Sequence, residues 1–474
     1  MDLEHLASKI REEFPEALRD ARTFRGEHTL DIRSEDILPV CRFLRDDPEC
    51  RDMFIVVPAG TDLSLVVRPR SHPLLTRFQT VSGEKLVWTT FSQDQVDLDY
   101  SNPDVLARIV ETLLVYVRYG AELVRLDAIA YIWKEAGTRC INLPQAHLVV
   151  RLFRSILDEA APHVALVTET NVPHEENISY FGDGTNEAQL VYNFPLPPLV
   201  LHAILTESAL RLSRWAADLS PPSPSATFLN YLASHDGIGV VPVKAILPEA
   251  DVRMLVDRTL ACGGHVSYKA ETDGTLAPYE LNINYWDALA DPDGRAPLDT
   301  LVHRFLAAHA IMLALRGVPA IYFHSLFGST GWADGVTRTG NKRAINREKC
   351  TRSLLVGELQ DKDSRRARVF SGLKGLLSAR SSSPCFHPRG AQRILQTEEA
   401  VFAVVRTAPD GNERTLCLQN VSGRQRIAHM DLEEAYGFAP SGLKDLITGQ
   451  LYAVTDFHEV ALEPYQVRWL RGLR

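Results

Sequence analysis

The chain has 474 residues, 45% hydrophobic and 23% charged, with a formal net charge of −9. Such a length exceeds one simple core and sets an expectation of two or three domains, while the acidic balance offers no basic footprint for nucleic acid. Seven cysteines (Cys41, Cys50, Cys140, Cys262, Cys350, Cys385, Cys417) are odd in number, scattered and free of any CxxC, which argues against a disulfide framework or zinc site and for reduced thiols in a cytoplasmic protein.

The opening stretch MDLEHLASKIREEF lacks the apolar core of a signal peptide. In residues 1 to about 50, Leu3, Leu6, Ala7 and Ile10 suit one helical face, HTLDI suits a strand, and Ser34 could cap a second helix through Leu44. Residues 53–95 are short and β-like, punctuated by Pro58, Pro69 and Pro73. From Asn102-Pro103 a helix starts, with a broad apolar stripe through Val105, Leu106, Ile109, Val110, Leu113, Leu114 and Val117, stopped by Gly120.

The stretch ELVRLDAIAYIWKEAG (122–137) then reads as a buried strand that carries two opposite charges. Strand alternation points Arg125 and Asp127 the same way, and two buried charges are costly unless they pair or have chemical work to do. A helix near 145–160 and a strand in HVALVTET (163–170) come next. AQLVYNF (188–194) is another strand, followed by a helix, and TFLNYLASHDGIG (227–239) ends a strand in a polar turn. The most apolar run, FLAAHAIMLALRGVPAIYF (305–323), is broken by His309, Arg316 and Gly317-Val318-Pro319. It reads as helix, turn and strand, so no membrane span is expected. Short apolar strands alternating with amphipathic helices predict an α/β chain with βα units round a parallel sheet, and their spacing suits a barrel. No GxGxxG or GxxxxGK[ST] run follows any strand. Beyond about residue 385 the pattern turns all-β, with a hairpin at Asp410-Gly411 (400–421) and a closing strand YQVRWL (465–470).

In a parallel barrel the reactive groups stand at the carboxyl ends of the strands. Asp127 follows LVRL, Glu169 follows ALVT and Asp236 follows FLNYLASH. Three strand-end carboxylates are what a retaining glycosyl transfer needs: a nucleophile, a general acid/base and a group that steadies the oxocarbenium-like transition state. Converging on one hexose ring, they would find in Arg125 a partner that keeps the nucleophile ionised. Taken singly, each has a plainer reading. An Arg-x-Asp pair is more often a structural ion pair, His235-Asp236 a loop cap, and Lys134-Glu135 a solvated surface pair.

The strings VRLDAIAYIWKEAGTRC, LVTETNVPHEENISYFGDG, FLNYLASHDGIGV, GVPAIYFHSLFGS and RTGNKRAINR together resemble the sucrose-phosphorylase branch of glycoside hydrolase family thirteen, the α-amylase family, over residues 52–474. The resemblance implies a (β/α)8-type barrel with a C-terminal β domain, Asp127 as nucleophile, Glu169 as acid/base and Asp236 as stabiliser. It also implies sugar contacts from Arg125 and His235, and a donor-site arginine that is Arg343 or Arg347, with Arg343 favoured. The substrates implied are a glucoside (sucrose, sucrose 6′-phosphate or glucosylglycerate) and inorganic phosphate, with no cofactor and no metal. IYFHSLFGS looks closer to the sucrose-6′-phosphate and glucosylglycerate members. Hydrolysis of an α-glucoside is the alternative chemistry.

One departure stands out. Residues 61–103 resemble the loop domain that the family inserts after its third βα unit, yet nothing upstream resembles the first three units. Asp127 would then stand on the fourth strand of eight, in a barrel of about five βα units. Residues 1–50 have a shorter and less specific resemblance to the N-terminus of a subunit of the respiratory NADH:quinone oxidoreductase. The expected domains are therefore 1–51 (a small α/β segment of different origin), 52–101 (inserted loop domain), 102–384 (partial barrel) and 385–474 (β domain). Impaired turnover, or an inactive fusion product, is the alternative that this truncation raises; the sequence assigns no oligomeric state.

Overall fold

The computed structural model describes residues 3–24, 27–33, 36, 40, 53–70, 72–80, 83–270, 275–454 and 459–473. They divide into one unit of Met1–Leu166 with Lys269–Leu276 and a second of Val167–Tyr268 with Ala277–Arg474.

In the first unit, helix α1 (Leu3–Glu13) buries Ala7 and Ile10 against Ala17 and Val40, and β1 (Leu18–Phe24) pairs antiparallel with β2 (Glu27–Ile32). The expected strand HTLDI falls within β2. The helix expected after Ser34 lies outside the described residues. β3 (Leu75–Thr80) and β4 (Gly83–Trp88) form a hairpin whose Trp88 packs with Val57, Val66 and Cys140. Helix α2 (Pro103–Arg118) begins as its sequence directs: the Asn102 side chain accepts from the Asp104 amide, and Pro103 occupies the first turn, where no N–H is needed. Gly120 ends it with φ +88°, a left-handed conformation that suits glycine. Its apolar stripe is only partly covered. Val105 and Leu113 are buried and Leu106, Ile109, Val110, Leu114 and Val117 half-buried, while Val115, Tyr116 and Tyr119, outside the stripe, are exposed.

β5 (Leu123–Leu126) follows, and the amide of Ala165 donates to the carbonyl of Glu122 at 2.9 Å, after helix α3 (Pro144–Ala160). The expectation of a buried strand here is wrong. Leu123 is 45% exposed, and Arg125 and Asp127 pair with each other on a face that water reaches. The expectation for Lys134 is wrong in the opposite sense. Its side chain is only 3% exposed and its Nζ pairs with Asp97 at 2.8 Å, 5.8 Å from the Trp88 ring centroid. Asp97 also accepts from the Thr90 amide (2.7 Å) and hydroxyl (3.0 Å). Burial pulls the Lys134 ammonium down and Asp97 opposes that pull.

β6 (Ala165–Thr168) runs into the second unit. There its end pairs parallel with β7 (Leu190–Tyr192), β7 with β8 (Thr227–Asn230), and β8 with β11 (Val318–Pro319). Helix α4 (Leu196–Thr206) after β7 is apolar all round and buried along nearly its whole length. β9 (Ile238–Gly239) follows β8, helix α5 (Glu249–Ala261) comes next, and β10 (Leu276–Asn282) pairs antiparallel with β9. Helix α6 (Leu298–Ala314) precedes β11 and packs on α7 (Arg365–Ser381). The strand expected over VPAIYF is shorter than predicted. Pro319 offers no ladder donor, one further rung forms from the Ala320 amide to the Asn230 carbonyl, and the chain then turns.

The C-terminal strands are β12 (Ala391–Ile394), β13 (Val401–Thr407), β14 (Arg414–Asn420), β15 (Arg426–His429), β16 (Gly442–Asp445), β17 (Leu451–Ala453), β18 (Glu459–Leu462) and β19 (Val467–Leu473). Six of them form an antiparallel sheet in the order β12-β13-β14-β19-β16-β17, and β15 pairs with β18. The expected hairpin at Asp410-Gly411 joins β13 to β14. Arg406 on β13 is fully buried with no carboxylate partner among the described residues, and its guanidinium donates to the carbonyls of Ala314 (2.9 Å) and His387 (3.0 Å). Burial pulls it down to about 10. Among the described residues no helix is long and apolar enough to cross a membrane, and the five described cysteines are free thiols.

Two predictions test this account. Replacing Asp97 by Ala leaves a buried ammonium uncompensated and should cost about 3–5 kcal/mol; a urea-denaturation loss below about 1 kcal/mol would refute the pairing. His309, buried in α6 with Nδ1 2.9 Å from the Phe305 carbonyl, is pulled down from 6.5 to about 4 by desolvation. Its folded value lies below its unfolded one, so its contribution is complete above about pH 6.5 and is lost as pH falls toward 4. That loss should reach about 2–3 kcal/mol by pH 4.5. The urea midpoint of His309→Gln should therefore fall less between pH 7 and 4.5 than that of the parent, and an equal fall would overturn the assignment.

Candidate active site

Asp127 follows β5 in the first unit. Its side chain is 73% exposed and in contact with the Arg125 guanidinium. The next residue, Ala128, holds φ 47° and ψ 35°, a left-handed conformation that costs a residue with a Cβ roughly 1–2 kcal/mol. After it, Ile129, Ala130 and Tyr131 are buried, and Phe91 meets the Tyr131 ring edge-on at 5.3 Å. The turn that carries Asp127 is thus anchored by the buried residues that follow it.

In the second unit Glu169 follows β6 and Asp236 follows β8. Tyr231, just after β8, is 6% exposed, with ring centroids of Tyr192 at 5.2 Å and Phe194 at 5.7 Å. Burial raises the Tyr231 phenol well above its ordinary value, and the negative charges of Glu169, Asp236 and Glu280 push the same way. Those acids therefore share one electrostatic neighbourhood around an aromatic cluster. Tyr231 stays a neutral phenol there.

The Asp236 carboxylate is gripped on one oxygen. Arg343 Nη1 lies 2.7 Å and Arg347 Nη2 3.1 Å from Oδ1, while no hydrogen bond reaches Oδ2 among the described residues. His235 is half exposed, with Nε2 3.7 Å from Oδ1, too far for a hydrogen bond. The Asp236 carbonyl accepts from Asn346 Nδ2 (2.9 Å), and the His235 carbonyl accepts from Arg347 Nε (2.8 Å). A short 3-10 turn, Lys342–Asn346, delivers these groups, and the Asn341 side chain caps it by accepting from the Arg343 amide.

A residue that sequence reasoning missed anchors the cluster. Glu280 on β10 is 1% exposed and takes a two-point grip from Arg343, Nε to Oε1 at 2.9 Å and Nη2 to Oε2 at 2.5 Å. Its Oε1 also accepts from the Gly237 amide at 2.9 Å. A Cβ on Gly237 would stand 2.5 Å from the Leu281 carbonyl oxygen, so only glycine fits there. Arg343 rises above its ordinary value because Glu280 and then Asp236 outweigh the burial that opposes them. In YELNIN, Glu280 shares the polar face of the alternation with Asn282 and Asn284, so the local pattern reads it as solvent-facing and gives no signal of its burial.

Asp236, His235, Arg343 and Arg347 are therefore brought together, with Glu169 nearby in the same unit. Asp127 and Arg125 pair within the other unit. Among the described residues one group could ligate a metal: His324, Glu348 and Cys350, whose ligand atoms lie within 4.8 Å of one another. The group is tied into a hydrogen-bond network. Arg366 donates to Glu348 (3.2 Å) and to Ser329 (2.7 Å), Ser329 meets His324 Nδ1 (3.1 Å), and Cys350 donates to Glu348 (3.3 Å).

Residues 81–216 match the family described as alpha amylase, catalytic domain. The glucosylglycerate phosphorylase of Allomeiothermus silvanus is 49% identical over 428 residues, covering 90% of this chain and 73% of that protein. Its counterpart in Escherichia coli is 43% identical over 432 residues, covering 90% of this chain and 74% of that protein. Among solved structures, the sucrose 6F-phosphate phosphorylase of Thermoanaerobacter thermosaccharolyticum shares the fold with a TM-score of 0.66 at 22% identity, covering 81% of this chain and 76% of that one. Parallel strands followed by a C-terminal all-β domain agree with that likeness, and the chain belongs to the α-amylase family of glycoside hydrolases, in its sucrose-phosphorylase-like branch.

Proposed function

We propose that the chain acts as a glucosylglycerate phosphorylase. The observation that carries the reading is the 49% identity, over 428 residues, to a protein of that name. In this reading Asp127 attacks the anomeric carbon while Glu169 gives a proton to the leaving glycerate oxygen. A β-glucosyl ester forms on Asp127. Phosphate then attacks from the vacated side, Glu169 takes back a proton, and α-glucose 1-phosphate leaves with its configuration retained. Asp236 faces the positive charge that grows on the sugar, offering Oδ2 because Oδ1 is occupied by arginine.

The arrangement also favours a division of roles between the arginines. Arg343 has Nε, Nη1 and Nη2 all engaged on carboxylates, whereas Arg347 keeps Nη1 without a hydrogen bond among the described residues. Arg347 is thus the arginine available to substrate or phosphate, and Arg343 the frame that holds the acids. Arg125 and His235 are the remaining proposed sugar contacts.

The domain scheme extends the proposal: residues 1–51 as a segment of separate origin, 52–101 as the inserted loop domain, 102–384 as a barrel of about five βα units and 385–474 as the β domain. Five strands in one sheet among the described residues, and the exposed Tyr116, Tyr119 and Leu123, support it.

Incubation of the purified chain with glucosylglycerate, with and without inorganic phosphate, tests the chemistry. Glucose 1-phosphate should form only with phosphate, and Asp127→Asn should lower its release by roughly 1,000-fold or more. Free glucose in both tubes would assign hydrolysis instead. For the arginines, Arg347→Ala should lower kcat/KM by about 100-fold with little change in melting temperature. Arg343→Ala should lower both, because it strands Glu280 in the interior. The reverse pattern would exchange their roles.

A further inference from the structure

Glu280 is too deep to meet a sugar, yet it touches two of the groups that fix Asp236. We propose that Glu280 is a positioning residue for the Asp236 carboxylate, acting through the Arg343 guanidinium and the Gly237 amide. The inference rests on the reading of Asp236 as the transition-state stabiliser and adds a residue that stabiliser needs.

The geometry supplies the reason. A guanidinium is planar, so once Nε and Nη2 are seated on the two oxygens of Glu280, the direction of Nη1 is set. Nη1 lies 2.7 Å from Asp236 Oδ1. Arg343 therefore transmits the position of a buried carboxylate to a partly open one. The second route is through the backbone: β9 and β10 pair with Glu280 opposite Gly239, and Glu280 Oε1 takes the Gly237 N–H immediately after Asp236. An ion pair kept only to neutralise Arg343 would not need the neighbouring amide as well. The charges also balance as a set, with Arg343 and Arg347 facing Glu280 and Asp236. Removing one negative charge leaves Arg343 with Asp236 alone and without its fork.

The test is Glu280→Gln, which keeps shape and one acceptor but removes the charge. With donor and phosphate saturating, kcat should fall about 30-fold while KM changes less than about 3-fold, because the lost interaction belongs to the transition state. In an Asp236→Asn background the same change should cost less than about 3-fold, since the group it positions is gone. A parent-like kcat in Glu280→Gln, or penalties that multiply in full, would overturn the proposal. Near-parent activity in Asp236→Asn itself would instead overturn the stabiliser reading, so the two failures are distinct. Arg343→Lys keeps the positive charge and loses the fork; it should reproduce the kcat loss and serves if Glu280→Gln does not fold. A crystal structure of whichever variant folds gives a readout independent of turnover. Asp236 Oδ1 should move away from its place between the arginines, and a carboxylate left in position would refute the inference.

Discussion

The Arg343 guanidinium spans two carboxylates, and the order of this end of the second unit follows from that bridge. One partner, Glu280, has a side chain 2% exposed, and the other, Asp236, is 21% exposed. An ion pair that deep gains little net stability, because desolvation offsets most of the attraction. Its effect is positional. The β9–β10 register places Glu280 beside the turn, glycine at 237 lets the strands approach, and the capped turn at Lys342–Asn346 brings in the arginine and Asn346 together. Each element has a local cause, and the bridge makes them one object.

The same bridge explains why two arginines of one short segment differ in what they can do. NKRAINR offers Arg343 and Arg347 with equal chemistry, and nothing local separates them. The separation lies in Glu280, far away in the chain, which saturates one guanidinium and leaves the other with an unused nitrogen. A hydrogen bond from Arg347 and an ion pair with Arg343, both on a single oxygen, also orient the Asp236 carboxylate. An acid whose two oxygens each took two donors would have no lone pair to present to a sugar.

Much of this is legible in the sequence, for reasons that also mark the limits. Helix α2 declares its start through Asn102-Pro103 and its end through Gly120, and the β13–β14 hairpin declares its turn through Asp410-Gly411, because caps and turns are decided by neighbouring residues. The strand ends bearing Asp127, Glu169 and Asp236 are legible from apolar runs that stop at an acid. Lys134 reads wrongly as a surface charge because its partner, Asp97, comes from another segment, and an ammonium's burial depends on its partner. β5 reads wrongly as buried because alternation tells which residues share a face and not what covers that face. Glu280 escapes notice by the same logic as Lys134: a charge on the polar face of an alternating strand reads as solvated until its counter-charge is known.

Asp127 and Asp236 meet very different surroundings, and the difference bears on where catalytic strength would come from. Asp236 is held by fixed donors in a setting largely closed to water, where oriented charges act at full effect and need no rearrangement during reaction. Asp127, at 73% exposure, meets Arg125 in a high-dielectric setting, where such a pair contributes at most about 1 kcal/mol. The conformation at Ala128 and the buried residues after it fix the backbone that carries the acid, yet the carboxylate itself keeps its water. For the proposed nucleophile that water must be shed before attack, whereas the proposed stabiliser has already shed most of its own. In the proposed chemistry the stabilising half would therefore be preorganised by residues of this chain, and the attacking half would be the one that exposure weakens.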